Sequence, residues 1–372
     1  MKTHAKNTMS LTILLSSLAL VTSPAGEILN EYSSVVTQPV FEDTINGSVH
    51  HMWPVQIYDG TTGQSTDWGV IDLDQFGFVG SQLVIFVTDW ARDRVLFAET
   101  RQVWIPDYHV LDLRTRTIYR PESDILNQVF GDMYMSPNCR YIVCFGEDYD
   151  LINQTGQTSY LENHNIIFTV VIDAETFNLI SRMDAFSARM GTFPPKYFFS
   201  GDTMVYIVNP FTGPKNRQLV RVSLPSLAIQ DTIRFASFCD SLCQEVIIED
   251  VRANLTLIHA LYSSGDSTGS VFKVIDLISK TAISRLDVPL SPIYGVSRLS
   301  DDADYAAFQE RQRYLIYDRN FRRHFEIEGA GDYSLPGAIF GRETISFYSE
   351  REDAILVYDL ETGRERERRD RR

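Results

Sequence analysis

One pattern recurs along the chain and limits its fold more than any other feature. An apolar strand ends in Asp or Ser, a polar turn follows, and a further strand begins. It reads V-Q-I-Y-D-G-T-T-G at 55–63, H-V-L-D-L-R-T-R-T at 109–117, V-V-I-D-A-E-T-F at 170–177, V-R-V-S-L-P-S-L at 220–227, K-V-I-D-L-I-S-K-T at 273–281, L-I-Y-D-R-N-F-R at 315–322 and L-V-Y-D-L-E-T-G at 356–363. The key positions Asp59, Asp112, Asp173, Ser223, Asp276, Asp318 and Asp359 are spaced by 53, 61, 50, 53, 42 and 41 residues. A period of 40–60 residues marks an array of like units. Asp or Ser at the start of a turn accepts a backbone N–H two residues on. Gly63 and Gly363 add a positive φ. The repeated acid is therefore read as a turn-former, not as a set of catalytic carboxylates.

A second strand precedes the later turns: S-P-N-C-R-Y-I-V-C-F at 136–145, S-G-D-T-M-V-Y-I-V at 200–208, S-D-D-A-D-Y-A-A-F at 300–308 and G-R-E-T-I-S-F-Y at 341–348, with Leu83–Val87 and Leu255–Ala260 in corresponding places. These runs are nearly continuous in apolar residues, whereas a strand with one wet face alternates. Continuous runs need cover on both faces, and sheets stacked radially against one another provide it. S-P-N-C-R-Y-I-V followed by V-V-I-D-A-E-T-F resembles the S-P-D-G-x-Y…V-x-D-x-x-T-G blade of bacterial propellers of the WD-repeat-like, Y-V-T-N and TolB types. The likeness covers most of residues 50–363. No blade ends in Trp-Asp, none carries Gly-His, and Cys139 stands where Gly usually sits, so no specific family is implied. The expected fold is all-β, a seven-bladed β-propeller over 27–363, with six blades plus an N-terminal extension as the alternative. The Arg-rich 364–372 is expected to be a charged, flexible tail. S-S-V-V-T-Q-P-V-F at 33–41 is the better candidate to complete the last sheet and close the ring.

The N-terminus has the layout of a secretory signal peptide over 1–25. Lys2, His4 and Lys6 give a basic start, Leu11–Val21 an apolar run, and Ser23, Pro24 and Ala25 small residues at a cleavage position. The run is too short to span a bilayer. A secreted or periplasmic location follows as an expectation. Such a location permits disulfides among Cys139, Cys144, Cys239 and Cys243. Cys239 and Cys243 are close enough in sequence to bridge, and four buried free thiols are the alternative.

With 49 acidic against 34 basic residues the chain carries a net charge of −15, which disfavours nucleic acid and favours neutral or cationic partners. No H-E-x-x-H, P-loop or G-x-G-x-x-G occurs. The expected function is a protein- or small-molecule-binding module acting through loops on one face. The alternative is a propeller enzyme, lactonase-like or a dehydrogenase subunit, with its site in the central channel.

Counted between apolar strands, the long loops are 88–108 and 146–165. The first offers Trp90, Arg92, Arg94, Arg101 and Trp104, residue types enriched at binding hot spots. The second offers Tyr160 and His164, and its Glu147, Asp148 and Asp150 are candidate oxygen ligands for Ca²⁺. His50 and His51 are adjacent, so on a strand their rings face opposite ways and do not readily share a metal. His259 lies in an apolar strand and reads as a core residue. Asn46, Asn153 and Asn254 open glycosylation sequons.

Overall fold

The computed structural model describes residues 28–29, 33–37, 40–59, 64–78, 83–99, 107–147, 167–184, 196–209, 217–238, 243–252, 254–264, 267–288, 294–300, 302–310, 313–328, 339–341, 343–349 and 354–370. They form seven four-stranded sheets arranged as a β-propeller. The first sheet holds β1 (Ser33–Thr37), β2 (Phe41–Ile45), β3 (Ser48–Asp59) and β4 (Gln64–Asp72). The second holds β5 (Leu83–Asp89), β6 (Arg94–Glu99), β7 (Asp107–Asp112) and β8 (Thr117–Tyr119). The third holds β9 (Val129–Met135), β10 (Tyr141–Glu147), β11 (Ile167–Asp173) and β12 (Leu179–Asp184). The fourth holds β13 (Tyr197–Phe199), β14 (Met204–Asn209), β15 (Gln218–Ser223) and β16 (Ala228–Arg234). The fifth holds β17 (Cys243–Arg252), β18 (Leu255–Ser264), β19 (Ser267–Asp276) and β20 (Thr281–Val288). The sixth holds β21 (Tyr294–Leu299), β22 (Tyr305–Glu310), β23 (Arg313–Asp318) and β24 (Arg323–Glu328). The seventh holds β25 (Ile339–Phe340), β26 (Thr344–Ser349), β27 (Ala354–Asp359) and β28 (Glu365–Asp370).

In blades two to seven the chain meanders from inner to outer strand in sequence order. Buried clusters join each blade to the next. Phe97 with Trp53, Phe168 with Tyr108, Val205 with Val143, Val246 with Leu219, Phe272 with Phe308, and Ile316 with Phe347 belong to these shared cores. Each fully buried Phe side chain contributes about 1.5–3 kcal/mol. This double burial is why the middle strands read as unbroken apolar runs.

The repeated turn behaves as its sequence predicts. Asp112 accepts the amides of Arg114 and Thr115, Asp173 those of Glu175 and Thr176, Asp276 those of Ile278 and Ser279, and Asp359 that of Thr362. A left-handed residue follows in each: Arg116, Phe177, Leu227, Lys280, Phe321 and Gly363 have φ of 58°, 58°, 56°, 55°, 57° and 65°. A non-glycine residue there costs about 1 kcal/mol. Its side chain offsets this by reaching the blade before. The Arg116 guanidinium lies 4.9 Å from the Trp68 ring centroid, and Lys280 Nζ is 3.0 Å from Asp231 Oδ1. Phe177, Leu227 and Phe321 enter the interblade cores.

Two expectations are corrected at the ring's ends. Residues 33–37 do not complete the last sheet. They pair with Val55–Asp59 of β3 in the first, and Ser33 sits opposite Asp59 as Arg94 sits opposite Asp112. β1 thus occupies the second position of its blade. No inner strand of blade one lies among the described residues. The Arg-rich segment is a strand and not a tail: β28 is the outer strand of blade seven, paired with β27. An outer strand needs no apolar face, and charges on a sheet edge deter pairing with another chain. Arg366 and Arg368 find Asp359 and Glu365 along it. The predicted signal peptide and residues 371–372 lie outside the described residues. Among the described residues no helix is long and apolar enough to cross a membrane. Cys139, Cys144 and Cys243 are free and buried, and Cys239 lies outside the described residues.

Candidate functional site

Strand direction gives the ring two different faces. One carries the turns from inner to second strand and from third to outer strand. The other carries the connections from second to third strand and from each outer strand to the next blade.

The turn face is consumed by bonds within the ring. Trp90, Arg92 and Arg94 belong to it, because β5 is an inner strand and 90–93 is the tight turn into β6. Trp90 packs on the core shared by blades one and two. Arg94 Nη2 donates to buried Asp89 at 2.8 Å and to the Ala174 carbonyl at 2.9 Å. Arg92 Nη1 donates to Asp89 at 3.2 Å and to the Cys139 carbonyl at 2.8 Å. These two arginines join blade two to blade three. The second-to-third connection of blade two shrinks from the expected 88–108 to 100–106, and that of blade three becomes 148–166. Arg101, Trp104, Tyr160, His164, Asp148 and Asp150 lie outside the described residues, as does the side chain of Glu147 at the end of β10.

The opposite face carries a feature that the sequence reading missed. β3 runs past its blade: Val55–Asp59 pairs with β1, whereas Ser48–Met52 pairs with β2 to form a projecting hairpin turned by Asn46 and Gly47 at φ 53° and 82°. A two-residue turn with both φ positive suits Asn-Gly. At the hairpin's base β4 ends in Asp72, whose carboxylate accepts the Asp74 amide at 3.2 Å and caps a 3-10 turn, Leu73–Phe76. That turn brings two carboxylates to two imidazoles. His50 Nδ1 lies 2.8 Å from Asp72 Oδ2, and His51 Nδ1 lies 3.1 Å from Asp74 Oδ2. The backbone amide of His51 also donates to Asp74, which with the imidazole holds that carboxyl below its usual value. The two rings hydrogen-bond to different carboxylates. The signal that could have found the cluster is D-L-D at 72–74, acids at the end of a strand whose register reaches Met52.

The inner strands bring a smaller polar group together. Tyr134 Oη is 3.4 Å from Asp132 Oδ2, and Arg298 from blade six acts on the same phenol. Burial, followed by the Asp132 charge, pushes that phenol far up, so it stays protonated. His259 is only half satisfied: it stacks on Phe272 at 4.2 Å, its Nδ1 is 3.5 Å from Glu249, and its Nε2 has no partner among the described residues. Asn254 accepts from Ser200 Oγ at 3.2 Å, whereas Asn46 stands exposed at the hairpin tip. Asn153 lies outside the described residues.

Known proteins resemble this chain in fold alone. No protein-family description matches it, and no curated protein does. Among solved structures, hydrazine synthase from Kuenenia stuttgartiensis matches at a TM-score of 0.51 with 11% identity, over 92% of this chain and 99% of that one. Hsv2 from Kluyveromyces lactis, a WD40-like propeller, matches at 0.51 with 9% identity, over 89% and 99%. TolB from Acinetobacter baumannii matches at 0.42 with 14% identity, over 73% and 58%. The chain is a seven-bladed β-propeller.

Proposed function

We propose that this propeller is a binding module that engages its partner on the face bearing the projecting hairpin. The observation that carries the reading is the division of labour between the faces. On the turn face Arg92 and Arg94 are spent on joining blades two and three. The other face extends beyond the ring at 41–51 and carries the connections of most unequal length. A rigid ring with variable connections is a common way to present a recognition surface.

Charge narrows the partner. Residues 27–91 contain nine acids and no Lys or Arg, so the hairpin side of blade one favours a neutral or cationic ligand. We place the chain outside the cytoplasm on the strength of its N-terminal pattern, as a secreted or periplasmic protein.

The test is site-specific photocrosslinking in the native host. A crosslinker at Asn46 on the hairpin should yield discrete adducts, and one at Arg319 on the turn face should not. Adducts at Arg319 with none at Asn46 would overturn the assignment of the face.

A further inference from the structure

We propose that His50, Asp72 and Asp74 form a site for one borderline divalent cation, of the Zn²⁺ or Co²⁺ class. One ligand atom from each of the three lies within 4.8 Å of the others. They come from three elements, β3, β4 and the 3-10 turn between blades one and two, so an ion there would tie the projecting hairpin to its blade. The donor set of one imidazole nitrogen and two carboxylate oxygens suits this class of metal, which takes nitrogen and oxygen together. A site of oxygens alone would favour Ca²⁺ or Mg²⁺ instead.

Two further observations point to a cation. Asp43 pairs with His50 across the hairpin, and partners in an antiparallel register share a face, which adds a further negative charge to the face that carries the ring. The charge on this blade is also uncompensated by its own sequence. From Glu27 to Ala91 the nine acids face no Lys or Arg, and His50 and His51 are the only side chains there able to carry positive charge. The carboxylates are already oriented without the ion: Asp72 is fixed by the Asp74 amide and by Gln75 Nε2 at 3.0 Å, and Asp74 by His51. His51 is a positioning residue in this arrangement. The proposal does not depend on the binding-face reading, since the ion would be held whether or not a partner docks.

The test uses the tag-free chain, first stripped with chelator and then titrated with Co²⁺. The expected result is uptake of one Co²⁺ per chain with visible d–d bands, displaced by Zn²⁺, and a higher melting temperature in either metal. His50→Gln and Asp74→Asn should each weaken Co²⁺ binding at least about tenfold. His324→Gln, on blade six, should leave it unchanged. The proposal is overturned if the unaltered chain takes up no stoichiometric Co²⁺, which would leave the cluster as two histidine–aspartate ion pairs. It is equally overturned if His50→Gln and Asp74→Asn bind as the parent does. The melting temperature of each metal-free variant separates loss of the site from loss of the fold.

Discussion

Asp93 is fully buried and accepts the Leu29 amide at 2.7 Å, across 64 residues of chain. The same oxygen accepts from Ile28, and its other oxygen receives Arg114. Asp93 also stands at φ 52° in the inner turn of blade two, a conformation that Asp and Asn tolerate. One carboxylate therefore shapes a turn and anchors the N-terminal segment against blade two.

Asp93→Ala strands one buried and one half-buried amide and removes the ion pair, and is expected to lower stability by about 2–4 kcal/mol. Asp93→Asn keeps an acceptor for Leu29 and should cost less than half of that. Urea denaturation of the three proteins checks both. Equal losses in the two variants would show that the charge matters and the amide contacts do not.

Gly363 and Phe325 meet across the junction of blades six and seven. A Cβ at Gly363 would lie 2.8 Å from Phe325 Cγ, at a φ of 65°. Gly363→Ala therefore combines backbone strain with a clash and is expected to cost about 2–3 kcal/mol. Phe325→Ala, which removes Cγ and Cδ1, should relieve part of it in the same chain. A double-mutant cycle by denaturation reads the coupling, and strict additivity would refute it.

The Asp359 carboxyl is held down to about 2, first by the Thr362 amide and then by Arg366. An unfolded Asp titrates near about 3.9. The folded value is the lower one, so the stabilisation is complete above the unfolded value and is lost as pH falls from there through the folded one. Arg366→Ala removes the second cause and leaves the first. The carboxyl should then titrate between the two values by ¹³C NMR. A full return to the unfolded value would mean that the amide bond contributes nothing.

Burial pushes the Cys139 thiol up to about 11 and that of Cys144 further still. At pH 8 neither should form thiolate, so neither should react with a disulfide reagent until the ring unfolds. Fast labelling of Cys144 in the native protein, located by peptide mapping, would contradict the packing between blades two and three.

Arg94→Ala should lower stability and leave partner capture at the hairpin face unchanged, because Arg94 spends its donors on Asp89 and Ala174. The expected cost is about 2–4 kcal/mol, since Asp89 is buried and loses one of its two guanidinium partners. Loss of capture without loss of stability would return Arg94 to the binding surface.

The fold was legible because the repeat is written in turn chemistry, which acts within a few residues. Asp112, Asp173, Asp276 and Asp359 each announce a third-to-outer turn by bonds to an amide two or three residues on. The inner turns are harder to read, because D-W-A-R-D carries no glycine and Asp93 itself takes the left-handed conformation. A polar stretch of that kind reads as loop, and Val95–Ala98, all buried in β6, were absorbed into it. The opposite error occurred at Glu365–Asp370, where a charged outer edge looks like no strand at all. The His50 cluster was hidden for a third reason. Its carboxylates arrive from the last residue of β4 and the turn after it, and only the register of the long β3 brings them back.

Pairing of β28 with β27, and of β1 with β3, leaves each described sheet made of neighbouring segments. Blades one and seven then meet through side chains, as where Tyr58 Oη donates to Ser346 Oγ at 2.9 Å. The molecule is in this respect a split washer. Among the described residues no ladder of main-chain bonds crosses that seam, so breathing of the ring, and any widening of its bore, should begin there.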